Sequence, residues 1–125
     1  MTAIEYEIIS SNLSLDIPFY CDYFDFEIQV DLVMATGERK VLLRHRTHSF
    51  FKIRFVLNPE LYTNSQARDL PRIGFQIKNL ANLKRRLREN GLTFFDESDH
   101  PYGSWAKIKD PSGNCIQLGE FFSEE

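Results

Sequence analysis

The chain has 125 residues, of which 42% are hydrophobic and 14% aromatic, and this supplies the core of one ordinary domain. A net charge of -3 gives no indication of nucleic-acid binding, and no segment approaches the roughly 18 apolar residues of a membrane span. The start of the chain also lacks the basic and apolar stretches of a signal peptide, so we expect a single cytoplasmic domain over residues 1–125.

The first half of the chain, at about residues 2–57, is predicted to form a βαβββ module. Alternation from Ala3 to Ile9 predicts a strand. A helix follows, capped by Asn12 or Ser14 and running to about Tyr23. Its expected buried face consists of Leu13, Ile17, Tyr20 and Phe24. Stretches rich in β-branched and aromatic residues then predict an antiparallel meander at about Glu27 to Ala35, Lys40 to Arg46 and Ser49 to Leu57.

The second half, at about residues 71–122, repeats this order of elements after a polar linker at about residues 58–70. Asn79 is a suitable N-cap, and Gly91 can adopt the left-handed conformation that ends a helix. The leucines between them recur at helical spacing, at Leu80, Leu83 and Leu87. Strands are predicted at about Thr93 to Asp96, Ser104 to Lys109 and Cys115 to Phe121, with turn residues from Asp110 to Asn114.

A sequence repeat supports this division into two modules. Residues 5–13, Glu-Tyr-Glu-Ile-Ile-Ser-Ser-Asn-Leu, return as residues 72–80, Arg-Ile-Gly-Phe-Gln-Ile-Lys-Asn-Leu. In both copies a strand runs into Asn-Leu and then into an amphipathic helix, so the likeness extends beyond the identical residues. Two such modules can enclose a cleft, which is where proteins commonly bind small molecules.

Several short motifs occur in a characteristic order along the chain. They are Asn12-Leu13, Phe19-Tyr20, Asn79-Leu80, Asn90-Gly91 and Asp110-Pro111-Ser112-Gly113-Asn114-Cys115-Ile116-Gln117-Leu118. In this order they resemble the vicinal oxygen chelate superfamily, which holds glyoxalase I, extradiol dioxygenases, fosfomycin resistance enzymes and bleomycin resistance proteins. The resemblance covers Ala3 to about Phe121. It implies an α+β fold in which two βαβββ modules form an incomplete barrel around a cleft, completed in a homodimer.

The resemblance also implies a divalent metal held by the first and last strands of each module. The corresponding positions in this chain are Glu5, Arg54, Arg72 and Gln117. Arginine is permanently protonated and offers no lone pair, so only Glu5 and Gln117 could coordinate a metal, which is too few ligands for the usual site. We therefore expect no metal cofactor.

The two arginines allow two interpretations. Two guanidinium groups facing a cleft would bind a carboxylate or phosphate. Alternatively, because the resemblance makes the first and last strands of a module neighbours, Arg54 can pair with Glu5 and Arg72 can hydrogen-bond the amide of Gln117. A buried charge needs a partner whatever the function, so both interpretations stay open.

Strand alternation extends the predicted cleft wall beyond these positions. Trp105, the only tryptophan, and Tyr102 can provide stacking surfaces, although an aromatic residue in a strand is more often part of the core. His100 is expected to be structural or incidental, with a place at the lip of the cleft as the alternative. His45 and His48 are expected in a solvated hairpin. The predicted ligand-binding residues are Glu5, Lys52, Arg54, Arg72, Gln76, Trp105 and Gln117.

These observations favour a metal-independent binding protein for an anionic or aromatic small molecule, of the bleomycin-resistance type, that sequesters a toxic or antibiotic-like compound. One alternative is an enzyme, either a metal-dependent lyase or dioxygenase with displaced ligands or a metal-free catalyst with Glu5 as base. A carboxylate beside an arginine has a lowered pKa, which weakens it as a base. A second alternative is a structural dimer with a vestigial cleft.

Overall fold

The computed structural model describes residues 4–57 and 71–122, and the chain divides into two compact units, Met1–Asn64 and Ser65–Glu125. Within those described ranges, each unit contains one four-stranded sheet and one helix, which confirms the α+β class and the two βαβββ modules. The predicted linker at 58–70 lies outside the described residues. Within the described ranges, no helix is both long enough and apolar enough to cross a membrane.

The first unit contains a mixed sheet. Its elements are β1 (Ile4–Ile9), α1 (Leu13–Phe24), β2 (Phe26–Val33), β3 (Arg39–His45) and β4 (Phe51–Val56). The strand order is β1-β4-β3-β2, with β1 parallel to β4 and the other pairs antiparallel. The first and last strands of the module are therefore neighbours, as the resemblance implies.

Helix α1 buries aromatic side chains against this sheet. Asn12 caps the helix as predicted, because its side-chain oxygen accepts from the Ser14 amide at 3.1 Å. Tyr20 is fully buried, and its ring packs against that of Phe55, 5.9 Å away between centroids. The prediction for Ile17 was wrong, since Ile17 is only half-buried. The buried positions of the helix are Leu13, Asp16, Phe19, Tyr20 and Phe24.

The second unit has the same topology. Its elements are β5 (Pro71–Gln76), α2 (Leu80–Glu89), β6 (Phe95–His100), β7 (Gly103–Lys109) and β8 (Cys115–Phe121). The strand order is β5-β8-β7-β6, and β5 is parallel to β8. Strand β6 lies further along the chain than predicted, because it pairs with β7 from Phe95 opposite Lys107 to His100 opposite Gly103. Its sequence is too charged to indicate a strand without this partner.

The start of α2 depends on a residue far along the chain. Asn79 occupies the N-cap position but has a left-handed backbone, with φ of 60°, and its side chain makes no capping hydrogen bond. The Glu120 carboxylate caps the helix instead, accepting from the backbone amides of Asn79 at 2.6 Å and Leu80 at 3.1 Å. Leu83 and Leu87 are buried as predicted, and Gly91 has φ of 84°.

The turn between β7 and β8 is built on Asp110. Its carboxylate is almost fully buried and accepts from the backbone amides of Ser112 at 3.0 Å and Asn114 at 2.8 Å. The side-chain amide of Asn114 donates to the second carboxylate oxygen at 2.9 Å. Gly113 has φ of 90°, a conformation that glycine adopts without steric cost. The Asp-Pro-x-Gly-Asn motif therefore serves to fix a hairpin.

Candidate functional site

The second unit contains an open pocket of about 270 Å³ on one face of its sheet. The residues that line it are Gly74, Phe75, Gln76, Trp105, Gln117, Gly119 and Phe121. The lining is uncharged and consists of three aromatic residues, two carboxamides and two glycines. A mainly apolar lining with a few polar groups is typical of small-molecule sites.

Strand alternation and register bring these residues together. Along β8, Gln117, Gly119 and Phe121 point to the same face because side chains alternate along a strand. The pairing places Gly74 of β5 opposite Gln117 and Trp105 of β7 opposite Gly119. Ile116 and Leu118, at alternate positions of the same strand, are fully buried on the other face.

The indole of Trp105 lies across two glycines. A Cβ built at Gly119 would lie 3.2 Å from indole Cδ1 and 3.3 Å from Nε1. A Cβ built at Gly103 would lie 3.3 Å from indole Cη2. Trp105 is half-buried and forms one wall of the pocket, so it is not a fully buried core residue. Its role as a stacking surface stays a prediction.

Three further rings surround this indole. The centroid of the Trp105 ring lies 5.3 Å from that of His100, 5.7 Å from Tyr102 and 5.4 Å from Phe121, all in edge-to-face arrangements. His100 also stacks on Tyr102 at 5.2 Å. His100 therefore adjoins the aromatic wall of the pocket. Tyr102 and Phe121 are more than half exposed.

Two carboxamides supply the polar groups of the pocket. Gln76 ends β5 and lies opposite Gly119, while Gln117 is half-buried in the centre of β8. Each carboxamide can both donate and accept hydrogen bonds. Such a pair can recognise a carbonyl, amide or hydroxyl group on a ligand held against the aromatic wall.

A second cavity, of about 320 Å³, flanks α2 in the same unit. Its cations are already paired, because Lys84 and Arg88 both contact the carboxylate of Glu97. The Glu120 carboxylate in its wall caps α2. The charged residues of this larger cavity therefore already have structural partners. We take the uncharged pocket as the candidate site.

The predicted cleft residues fall into two groups. Gln76, Trp105 and Gln117 line the pocket of the second unit, and Arg72 is in that unit but outside the lining. The other three, Glu5, Lys52 and Arg54, lie on neighbouring strands of the first unit.

Arg54 is engaged by two carboxylates. Its Nε lies 3.1 Å from Glu5 Oε1, and its Nη2 contacts Glu7 Oε1. The parallel register places Glu7 directly opposite Arg54 and Glu5 opposite Lys52. The pairing of Arg54 with Glu5 is therefore confirmed, and Glu7 is a partner that sequence analysis did not identify.

Arg72 does not make the partner contact expected for it. A bulge between Pro71 and Ile73 interrupts the pairing of β5 with β8, and Gln117 lies opposite Gly74 instead. Across the described residues, no hydrogen bond joins the Arg72 guanidinium to the Gln117 amide. The anion-binding interpretation of Arg72 stays a prediction.

The four positions that the resemblance assigns to a divalent metal do not fit one. Glu5 is held by the Arg54 guanidinium at 3.1 Å, and an arginine side chain offers no lone pair to a cation. In the described ranges, no group of three or more His, Cys, Asp and Glu side chains is placed to hold a metal ion.

Sequence analysis did not identify Phe75 and Phe121 as lining residues. For Phe121 a signal was present, since it follows Gln117 and Gly119 at every second position of β8. For Phe75, alternation places the side chain on the opposite face from Gln76, so sequence offered no signal.

Comparisons with known proteins agree with this fold. The family model described as Glyoxalase/Bleomycin resistance protein/Dioxygenase superfamily matches residues 5–118. A search of curated proteins finds no match.

Several solved structures share the architecture. TnmS3, an antibiotic binding protein from Streptomyces sp. CB03234, is 20% identical with a TM-score of 0.76, covering 98% of this chain and 97% of that one. A superfamily member from Sphaerobacter thermophilus DSM 20745 is 21% identical with a TM-score of 0.75, covering 96% and 97%. The fosfomycin resistance protein FosX from Listeria monocytogenes is 16% identical with a TM-score of 0.74, covering 98% and 94%. At these identities the likeness shows the fold alone.

Proposed function

Because the chain belongs to the Glyoxalase/Bleomycin resistance protein/Dioxygenase superfamily, we propose that it is a metal-independent binding protein for a small molecule. The pocket of the second unit is the proposed ligand site. The observation that carries this proposal is its lining, in which the Trp105 and Phe121 rings stand beside the Gln76 and Gln117 carboxamides. This lining supplies binding surface and hydrogen bonds, and no acid, base or nucleophile belongs to its described residues.

The lining favours a planar, uncharged aromatic ligand with a hydrogen-bonding group at its edge. Aromatic walls gain most from flat rings, which stack at low entropic cost. A carboxamide pair suits a neutral carbonyl or amide better than an anion, because a carboxylate would lack a matching cation. Arg54 is unsuited to that role, since Glu5 and Glu7 already occupy its guanidinium.

The proposed biological role is the sequestration of a toxic or antibiotic-like compound in the cytoplasm. Its support is the likeness to TnmS3, an antibiotic binding protein. The homodimer that the superfamily resemblance implies is part of the same proposal. Light scattering during size-exclusion chromatography tests the dimer directly.

The first experiment uses two matched probes, 2-naphthamide and 2-naphthoate, which share a ring system and differ in charge. The melting temperature and calorimetric binding are measured on untagged protein, with and without EDTA. A ligand at 100 times its Kd stabilises the native state by about 2.7 kcal/mol. We expect 2-naphthamide to raise the melting temperature, 2-naphthoate to raise it less, and EDTA to change neither result.

Matched variants assign the binding to the pocket. Gln117→Leu keeps the approximate side-chain size and removes the hydrogen-bonding groups, so it should weaken 2-naphthamide and leave an unsubstituted naphthalene unaffected. Lys40→Gln serves as the control, because Lys40 pairs with Glu38 on the exposed surface of the first unit. An equal loss of affinity for 2-naphthamide in Gln117→Leu and Lys40→Gln would contradict the proposed site.

Other outcomes favour the alternatives. Stoichiometric metal in the purified protein, or a metal-dependent rise in melting temperature, would overturn metal independence and favour a lyase or dioxygenase. Failure of a broad panel of aromatic molecules to raise the melting temperature would favour a structural dimer instead.

A further inference from the structure

We propose that Gly119 is a positioning residue that sets the depth of the pocket by allowing the Trp105 indole to lie close to the sheet. Trp105 lies directly opposite Gly119 in the pairing of β7 with β8. The consequence for the ligand rests on the proposed function, whereas the position of the indole does not. A side chain at residue 119 would move the indole away from the sheet and into the space that the ligand needs.

The close approach of the indole to Gly119 favours a glycine at this position. Its Cβ would lie 3.2 Å from indole Cδ1 and 3.3 Å from Nε1. These separations are shorter than ordinary van der Waals contact between carbon atoms, which begins at roughly 3.5 Å. The indole would have to shift by a few tenths of an ångström to admit even a methyl group.

Backbone conformation gives no competing reason for this glycine. The glycines with positive φ are Gly37, Gly91 and Gly113, each in a turn or at a helix end. Gly119 lies within β8 with an extended backbone that any residue can adopt. Glycine inside a strand is unfavourable in general and often marks a close approach by another group. At Gly119 that group is the indole.

The rings around Trp105 determine the direction in which a side chain at residue 119 would displace the indole. His100, Tyr102 and Phe121 meet the indole edge to face, with centroids 5.3 to 5.7 Å away. Its Cη2 end lies 3.3 Å from the position of a Gly103 Cβ. With these neighbours on its sides and the sheet beneath, the indole moves most easily toward the pocket that it lines.

The chain provides a matched control at Gly74. This glycine also lies in a strand and lines the same pocket. Its Cβ would meet only the backbone oxygen of Gln117, at 3.8 Å, which is an ordinary contact. Gly74→Ala therefore adds the same methyl group to the same pocket without touching the indole.

The first test needs no ligand, because Trp105 is the only tryptophan and reports its own environment by fluorescence. We expect Gly119→Ala to shift the emission maximum and raise the rate of acrylamide quenching. Gly74→Ala should leave both unchanged. Identical spectra for Gly119→Ala and the parent protein would overturn the proposal.

A double-mutant cycle on melting temperature provides the second test. Gly119→Ala should lower the melting temperature by roughly 3–6 °C in the parent protein, as expected for mild overpacking. In a Trp105→Leu background the same change should have no cost or raise the melting temperature, because the alanine reduces the entropy of the unfolded chain. An equal loss in both backgrounds would show that the indole is not the cause.

The ligand consequence is measured with 2-naphthamide. Gly119→Ala should weaken its binding by up to about tenfold, as expected from the loss of one aromatic stacking contact, while Gly74→Ala should change it less. If the parent protein does not bind the probe, the proposed function fails for this ligand class, and fluorescence and the cycle still decide the role of Gly119. If fluorescence shifts but affinity holds, the indole is positioned by Gly119 without limiting the pocket, which would overturn the proposal for pocket depth.

Discussion

The carboxylate of Glu120 should be the main stabiliser of the start of α2. It accepts two backbone hydrogen bonds, at 2.6 Å from Asn79 and 3.1 Å from Leu80. Both amides belong to the group at a helix start that has no partner within the helix. Loss of an N-cap costs about 1 kcal/mol, with a range of roughly 0.5–2, and a carboxylate at this end adds roughly 0.3–1 kcal/mol through the helix dipole.

We therefore expect Glu120→Ala to lower the free energy of unfolding by about 2 kcal/mol. For a chain of this length that corresponds to a fall in melting temperature of roughly 6–10 °C. Glu120→Gln should lose most of this stability, because it keeps one acceptor oxygen and places an NH₂ group near a second amide hydrogen. The part of the stability loss that comes from the charge of Glu120 should shrink as salt is added.

Urea and thermal unfolding followed by circular dichroism measure these changes. Glu89→Ala is the matched control, since Glu89 carries the same charge at the opposite end of α2 and pairs with Arg85 on the exposed surface. Exposed pairs of this kind contribute about 0.3–0.5 kcal/mol. A loss in Glu120→Ala no larger than that in Glu89→Ala would refute the capping role.

Three further predictions concern single residues. Gly103→Ala should destabilise the protein by about 1–3 kcal/mol in urea unfolding, because its Cβ would lie 2.5 Å from a backbone carbonyl oxygen that cannot easily move. Arg54→Met should lower the free energy of unfolding by about 1 kcal/mol at low salt and have little effect at high salt, because the Arg54 side chain is 42% exposed and its guanidinium separates two carboxylates. Burial lowers the pKa of His45, and its Nδ1 accepts from two backbone amides at 3.0 and 3.2 Å, so folding favours the neutral ring. The unfolded chain then binds more protons, and stability should fall as the pH drops below about 6.5, levelling off below the folded-state pKa. In His45→Asn this pH dependence should be weaker in urea unfolding measured from pH 5 to pH 8.

Sequence alone determined the elements that depend on short-range interactions. The leucine spacing of α2 and the left-handed Gly91 involve residues within a few turns of each other. The hairpin at Asp110 is built from hydrogen bonds spanning two to four residues. Repetition of this pattern in the two halves was also sufficient to predict two βαβββ modules. The superfamily resemblance implied that the first and last strands of a module are neighbours, which made the pairing of Arg54 with Glu5 one of the two interpretations open for that arginine.

Tertiary structure decided the features that depend on register and on distant partners. The cap of α2 comes from Glu120, which is 41 residues beyond Asn79, so no local pattern around the helix could reveal it. Strand β6 exists because β7 pairs with its charged sequence. A bulge beside Arg72 places Gln117 opposite Gly74, because one extra residue in a strand shifts every later pair. The pocket depends on the register of β7 with β8 as well, since only that pairing places the Trp105 indole against Gly119.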